Sequence, residues 1–224
     1  MNDPFLMRHT DTAELFIIRH ADAIPDADEI IPSGVYNDLP LSKIGREQAQ
    51  ALAERLSNLR FDALYSSPLR RCLQTAAPLV ERLGLTPAVI EDLKEIRLGE
   101  MLPLPTGGQD LEALSQALQE RQREIVRKAG TEGSWDAVPD SEPSKAFRKR
   151  VVEAIDGIAH QHTGERVLIF AHGGVVNAYA AEVLGLERDF FFPAANTSIT
   201  VIRVAGPRRV LYVLNDIGHV KRHS

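Results

Sequence analysis

Apolar residues return along the chain in two rhythms. Short apolar runs bounded by turn residues predict strands at Glu14–His20, Phe61–Tyr65, Val89–Ile90 and Arg166–Ala171. Ser198–Val204 and Arg209–Leu214 predict two more, joined as a hairpin at Gly206-Pro207. Elsewhere the apolar positions recur every three or four residues. Ser42 caps a helix from Lys43 to about Leu59, with a stripe of Ile44, Ala49, Leu52, Ala53, Leu56 and Leu59. Leu69–Leu83 follows, with a kink or break expected at Pro78 and an end at Gly84. Asp110–Ala129 has a helical period that stops at Gly130. Ser144–His162 presents Phe147, Val151, Val152, Ile155 and Ile158 on one face, and a last helix runs from about Gly174 to Leu184. The polar arm before Ala13 and the segments Ala21–Pro40, Leu93–Gly108 and Thr131–Pro143 carry no period and predict loops.

Strands alternating with helices predict a three-layer α/β/α fold with a mainly parallel central sheet. The 224 residues suit one domain, with a flap-like helical insertion at about 98–143. Such sheets bind ligands beyond the carboxyl ends of their strands. Two strands end there in suggestive residues, Arg19-His20 and Ala171-His172-Gly173-Gly174.

Composition narrows the class. With 44% hydrophobic and 25% charged residues, the chain is neither disordered nor fibrous. Its apolar runs are far short of the roughly 20 residues of a membrane helix, so no membrane partner is expected. A net charge of −5 disfavours a broad nucleic-acid-binding face but leaves room for a local basic pocket. Cys72 is the sole cysteine, which excludes an intrachain disulfide and a cysteine-based zinc site. Met-Asn-Asp-Pro opens the chain without a secretory pattern, so a cytoplasmic location is expected.

His20 at a strand end would by itself be ordinary, but Arg19 beside it disfavours the imidazolium and offers a fork for phosphate or carboxylate. His172 is delivered to a second strand end. Gly173-Gly174 would let backbone N–H groups approach an anion at a helix start, or would serve only a tight turn. Ser66-Ser67-Pro68-Leu69-Arg70-Arg71 puts two arginines at a helix start, against the helix dipole unless an anion sits there. Glu91–Glu100 supplies several carboxylates, and one of them could be a general acid.

Taken in order, these segments resemble the histidine phosphatase, or phosphoglycerate mutase-like, superfamily. Arg19-His20 with Leu41–Ala49 (LSKIGREQA) is similar to its first motif, Ser66–Ala76 (SSPLRRCLQTA) to its second, and Ala171–Gly174 (AHGG) to that of the second histidine. Leu93–Gly99 matches half of its acid segment. The resemblance runs from about Leu15 to Asp216 and implies a phosphohistidine on His20. It implies that Arg19, Arg71 and His172 grip the phosphoryl oxygens, with Gly173 at the phosphate site. It selects Glu95 as general acid, with Glu100 as the nearest rival. No metal and no cofactor are implied, and the partner is a small phosphorylated substrate.

The chain departs from the pattern around the substrate. Met101-Leu102-Pro103 stands where the family has Trp, Glu and Gly, and Ala21, Asp22 and Asp26 replace the usual Gly, acidic residue and Asn. A phosphomonoester hydrolase is favoured. A phosphoglycerate mutase dependent on 2,3-bisphosphoglycerate is the alternative, although Glu95–Met101 lacks its tyrosine and Gly173–Val176 lacks its Gly-Asn. A metal-dependent hydrolase using His20, Asp22, His172, Asp216 and His219, and a non-catalytic phosphate binder, are more distant readings. Trp135 would line a pocket or anchor a local core. Phe190–Phe192 would be buried or form a contact in a homodimer. Asn196-Thr197-Ser198 is expected to hold the second histidine loop, and Lys221–Ser224 to be solvated.

Overall fold

A computed structural model describes residues 5–6, 11–24, 38–98 and 111–220. Six strands form one sheet: β1 (Ala13–Arg19), β2 (Ala63–Ser66), β3 (Ala88–Val89), β4 (Arg166–Ala171), β5 (Ile199–Ala205) and β6 (Arg208–Asp216). Their spatial order is β3-β2-β4-β1-β5-β6. The first four lie parallel, and β5 and β6 add an antiparallel hairpin at the edge. The helices are α1 (Lys43–Leu56), α2 (Arg70–Leu83), α3 (Leu111–Glu132), α4 (Ser144–Gln161) and α5 (Gly173–Leu184).

Alternation along the central strands builds the layers. Leu15 and Ile17 of β1, with Val167 and Ile169 of β4, pack with Phe147, Val151 and Ile155 of α4 and Val175 and Tyr179 of α5. Ile18, Leu168 and Phe170 point the other way, onto Leu52 and Leu56 of α1 and Cys72, Ala76 and Leu79 of α2. Strand side chains alternate faces, so the two central strands feed both cores. This is the three-layer α/β/α arrangement with a mainly parallel sheet. From the stretch expected to form a flap, Ile125, Ala129, Trp135 and Val138 belong to the α4–α5 core. Residues 99–110 of that stretch, Glu100 among them, lie outside the described residues. So do most of the Ile24–Leu39 loop, the tail Lys221–Ser224 and most of the N-terminal arm.

Several local expectations need correction. Pro78 does not break α2, which runs continuously to Gly84 at φ 66°. Burial of Thr75, Ala76 and Leu79 on either side of the proline outweighs one missing hydrogen bond. Gly130 does not end α3. The helix continues to Glu132, and Gly133, at φ 72°, takes the left-handed turn. Gly130 instead admits Phe190, whose ring lies 3.6 Å from where a Cβ would stand. Ile44 and Leu59 are exposed, because α1 turns only Gly45, Ala49, Leu52, Ala53 and Leu56 inward. Trp135–Ala137 forms a 3-10 turn inside the expected loop.

Candidate active site

The pairing of β1 with β4 brings the two histidines together. Arg19 lies opposite Ala171 in the parallel register, and the His20 N–H donates to the Ala171 carbonyl at 2.9 Å. His20 and His172 therefore leave adjacent strands at the same level, with ring centroids 5.2 Å apart. The backbone after His20 is held by residues of both sequence motifs. Thr75 Oγ1 accepts from the Ala21 N–H at 2.9 Å and Gln48 Oε1 from the Asp22 N–H at 2.9 Å. Ser42 Oγ donates to Asp22 Oδ2 at 2.6 Å while capping α1. Gly45 is required here, since a Cβ would stand 2.0 Å from the Asp22 carbonyl oxygen.

His20 is buried, and its Nδ1 lies 2.7 Å from the Ala21 carbonyl oxygen. A carbonyl only accepts, so Nδ1 carries the proton and Nε2 keeps its lone pair. Burial, then the Arg71 and Arg19 guanidiniums, push the pKa of His20 well below 6.5. The imidazole is neutral at pH 7, the form a nucleophile needs. His172 is fully buried and is likewise pushed well below 6.5, by burial first and then by Arg71, His20 and Arg19. Its Nε2 is 2.9 Å from Ser67 Oγ and 3.5 Å from Cys72 Sγ. Burial raises the Cys72 thiol to about 12, and the S–H donates to the Ala171 carbonyl at 3.3 Å. The thiol is therefore packing beside His172, not a reactive thiolate.

Arg19 donates from one terminal nitrogen to the Ala194 carbonyl at 2.5 Å, while its buried Nε has no hydrogen-bond partner. An orphaned charged donor beside Gly173, whose Cβ position is 3.6 Å from that nitrogen, fits an anion that would complete the set. Burial lowers the Arg19 pKa from its ordinary value. Arg71 lines the same cleft, whereas Arg70 is exposed and donates its backbone N–H to Asp38 at 2.7 Å. The structure thus brings Arg19, His20, Arg71 and Gly173 to one strand-end cleft at the start of α5, with the fully buried His172 beside His20.

Glu95 reaches this cleft from the other side. Its carboxylate accepts from the Gly174 N–H at 3.1 Å and the Ile96 N–H at 3.0 Å. It lines both a cavity of about 230 Å³ containing His20 and a larger one of about 630 Å³ that opens from Arg19 and Arg71 toward α3. Sequence reading missed what positions it. Arg150 of α4 donates to the carbonyls of Asp92, Lys94 and Glu95 at 2.7, 2.9 and 3.3 Å. The same guanidinium grips Glu142 through two 2.8 Å bonds. An arginine on an amphipathic helix carries no local signal of such a distant clamp.

The Asn196 turn holds the first histidine loop, not the second as expected. Asn196 Nδ2 and the Thr197 N–H both donate to the His20 carbonyl, at 3.1 and 3.4 Å. His219 bonds Thr197 Oγ1 at 3.1 Å and Asp216 pairs with Arg55. Among the described residues no group of three or more His, Cys, Asp or Glu side chains could hold a metal ion. Among them, too, no helix is long and apolar enough to cross a membrane. Trp135 is buried with its ring against Phe190 at 5.0 Å and also lines the larger cavity. Phe190 itself is core.

A neutral imidazole flanked by two guanidiniums, with a carboxyl group across the cleft, suits phosphoryl transfer, which depends mainly on positioning and charge. Comparison with known proteins agrees. The sequence matches the family model of the histidine phosphatase superfamily (branch 1) over residues 15–217, and the chain belongs to that superfamily. It is 28% identical to phosphoglycerate mutase-like protein 4 of Arabidopsis thaliana, over 94% of this chain and 88% of the relative. It is also 28% identical to a metal-independent phosphoserine phosphatase of Arabidopsis thaliana, over 94% and 84%. The solved structure of a mycobacterial glucosyl-3-phosphoglycerate phosphatase superposes with a TM-score of 0.67 at 26% identity, covering 91% of this chain and 99% of that one.

Proposed function

We propose that the protein hydrolyses small phosphomonoesters through a phosphohistidine on His20, without metal or organic cofactor. The observation that carries this is the tautomer: Nδ1–H is committed to Ala21, and neutral Nε2 sits beside Arg19 and Arg71. In the first step Nε2 bonds to phosphorus as the P–O bond to the alcohol breaks. Arg19, Arg71, His172 and the Gly173 N–H hold the phosphoryl oxygens, and protonated Glu95 gives its proton to the leaving oxygen. In the second step water attacks phosphorus, the Glu95 carboxylate takes the water's proton, and the N–P bond breaks to release phosphate. The leaving oxygen and the later attacking water occupy the same position, in line with and opposite Nε2, so one carboxyl lining the cleft can serve both steps.

Hydrolysis is favoured over phosphoglycerate mutation because Glu95–Met101 lacks the mutase tyrosine and Gly173–Val176 lacks the mutase Gly-Asn. The test is phosphate release from a panel of monoesters in excess chelator, with acid-quench trapping of labelled enzyme. Release without metal, together with acid-labile label lost in His20→Ala, is expected. Interconversion of phosphoglycerates primed by 2,3-bisphosphoglycerate, with negligible phosphate release, would overturn the hydrolase reading in favour of the mutase. Equal labelling of His20→Ala would overturn the nucleophile.

A further inference from the structure

The larger cavity shares Arg19, Arg71 and Glu95 with the smaller one that contains His20, so the body of a phosphomonoester held at His20 can extend into it. At about 630 Å³ it falls within the range of pockets for drug-sized ligands and far exceeds what a serine or glycerate body needs. Its far wall is apolar: Leu118, Ile125 and Val126 of α3, with Ile96, Trp135 and Phe190. Trp135, Phe190 and Ile125 belong to the α4–α5 core and anchor that part of the wall. Its charge is one-sided. Among the described lining residues Lys94, Arg97 and Arg121 add to Arg19 and Arg71, and Glu95 is the only carboxylate. Lys94 pairs with Glu91 at 2.6 Å, but Arg19, Arg71 and Arg97 still outnumber Glu95, so an ammonium such as that of phosphoserine would meet excess positive charge.

We infer that the preferred substrate is the phosphomonoester of a bulky, apolar alcohol without a cationic group, its body lying on the α3–Trp135–Phe190 wall. This rests on the hydrolase reading and narrows it. Removing apolar surface from water favours such a body, whereas a small polar one leaves the wall exposed.

The experiment compares kcat/KM for 1-naphthyl phosphate, phenyl phosphate and O-phospho-L-serine. The two aryl leaving groups are similar in acidity, so their ratio reports binding of the larger body more than intrinsic reactivity. A naphthyl-to-phenyl ratio of about ten or more is expected, with phosphoserine the poorest substrate. Leu118→Asn and Val126→Asn, both at partly exposed positions, should bring the ratio toward one. A ratio is independent of how much enzyme is folded, so general destabilisation cannot imitate that result. A wild-type ratio near one, a ratio unmoved in both variants, or phosphoserine as the better substrate would overturn the inference. In those cases phosphate release would leave the hydrolase reading standing. No release from any monoester would overturn that reading and the inference with it.

Discussion

Gly174→Ala is the sharpest probe of Glu95, because it moves the carboxylate without touching its chemistry. A Cβ on Gly174 would stand 2.3 Å from Glu95 Oε1, 3.1 Å from its Cδ and 3.3 Å from Phe147 Cζ. The first distance cannot be tolerated, but it involves the free end of a side chain, so the carboxylate swings away while helix α5 stays. Alanine in the first turn of a helix is favourable by up to about 1 kcal/mol over glycine, which offsets strain against Phe147. The variant should therefore fold, with a melting temperature within a few degrees of wild type. General acid catalysis contributes about 10²–10⁴-fold, so phosphoenzyme formation from an alkyl phosphate should fall at least about 10²-fold, near 2.7 kcal/mol. With p-nitrophenyl phosphate the leaving oxygen needs no proton, and the same step should slow by no more than about 3-fold. Rapid acid quench of labelled enzyme measures both. Equal slowing on the two substrates, or undiminished formation from the alkyl phosphate, would refute the acid role of Glu95.

Arg71→Ala should cost more than about 10²-fold in kcat/KM on every monoester, whereas exposed Arg70→Ala should cost less than about 3-fold; the reverse order would place the wrong arginine on the phosphate. Arg150→Lys keeps the charge but loses the fork that joins Glu142 to three carbonyls. It should destabilise the protein by about 2 kcal/mol, seen as a lower urea midpoint, and should slow alkyl phosphates more than p-nitrophenyl phosphate. Stability should also fall with acid, because the unfolded chain protonates His20 and His172 near 6.5 and the folded protein only well below it. Their contribution is complete above pH 6.5 and is lost as pH drops. The slope approaches about 2.7 kcal/mol per pH unit for two protons, and a His20→Asn/His172→Asn double variant should flatten it in denaturant titrations.

The parts of the site that were legible in the sequence lie at strand ends. A run such as Val167–Ala171 shows from its apolar content that it is buried, and the residue following it then has to emerge at the sheet edge. His20 and His172 could be placed that way, and the parallel pairing of Arg19 with Ala171 completes the meeting. Long-range hydrogen bonds were not legible. Asn196 reaches His20 across 176 positions and Arg150 reaches Glu95 across 55, and no window of local pattern contains both partners. Gly84 ends α2 as a helix-ending glycine does. Gly130 and Gly45 are needed for the close approach of Phe190 and the Asp22 carbonyl, and Gly174 for the approach of Glu95; only the packed neighbour reveals that.

In the proposed mechanism, charge explains how two neutral histidines and two arginines can form a coherent phosphate site. A monoester dianion brings two negative charges, and Arg19 and Arg71 match them without help. Were both imidazoles protonated as well, the site would hold four clustered positive charges and His20 would have no lone pair to offer. Burial and the guanidiniums prevent that, by pushing both pKa values down. On the proposed reading an entering dianion would reverse the balance at His172, whose ring meets Ser67 and lies 5.2 Å from His20. A proton on His172 is then stabilised by the phosphoryl oxygens instead of opposed by the arginines alone. His20 escapes the same fate because its Nε2 becomes bonded to phosphorus. In the proposed mechanism the two histidines thus share burial and cations but diverge once substrate arrives, His20 as nucleophile and His172 as a donor to the phosphoryl oxygens.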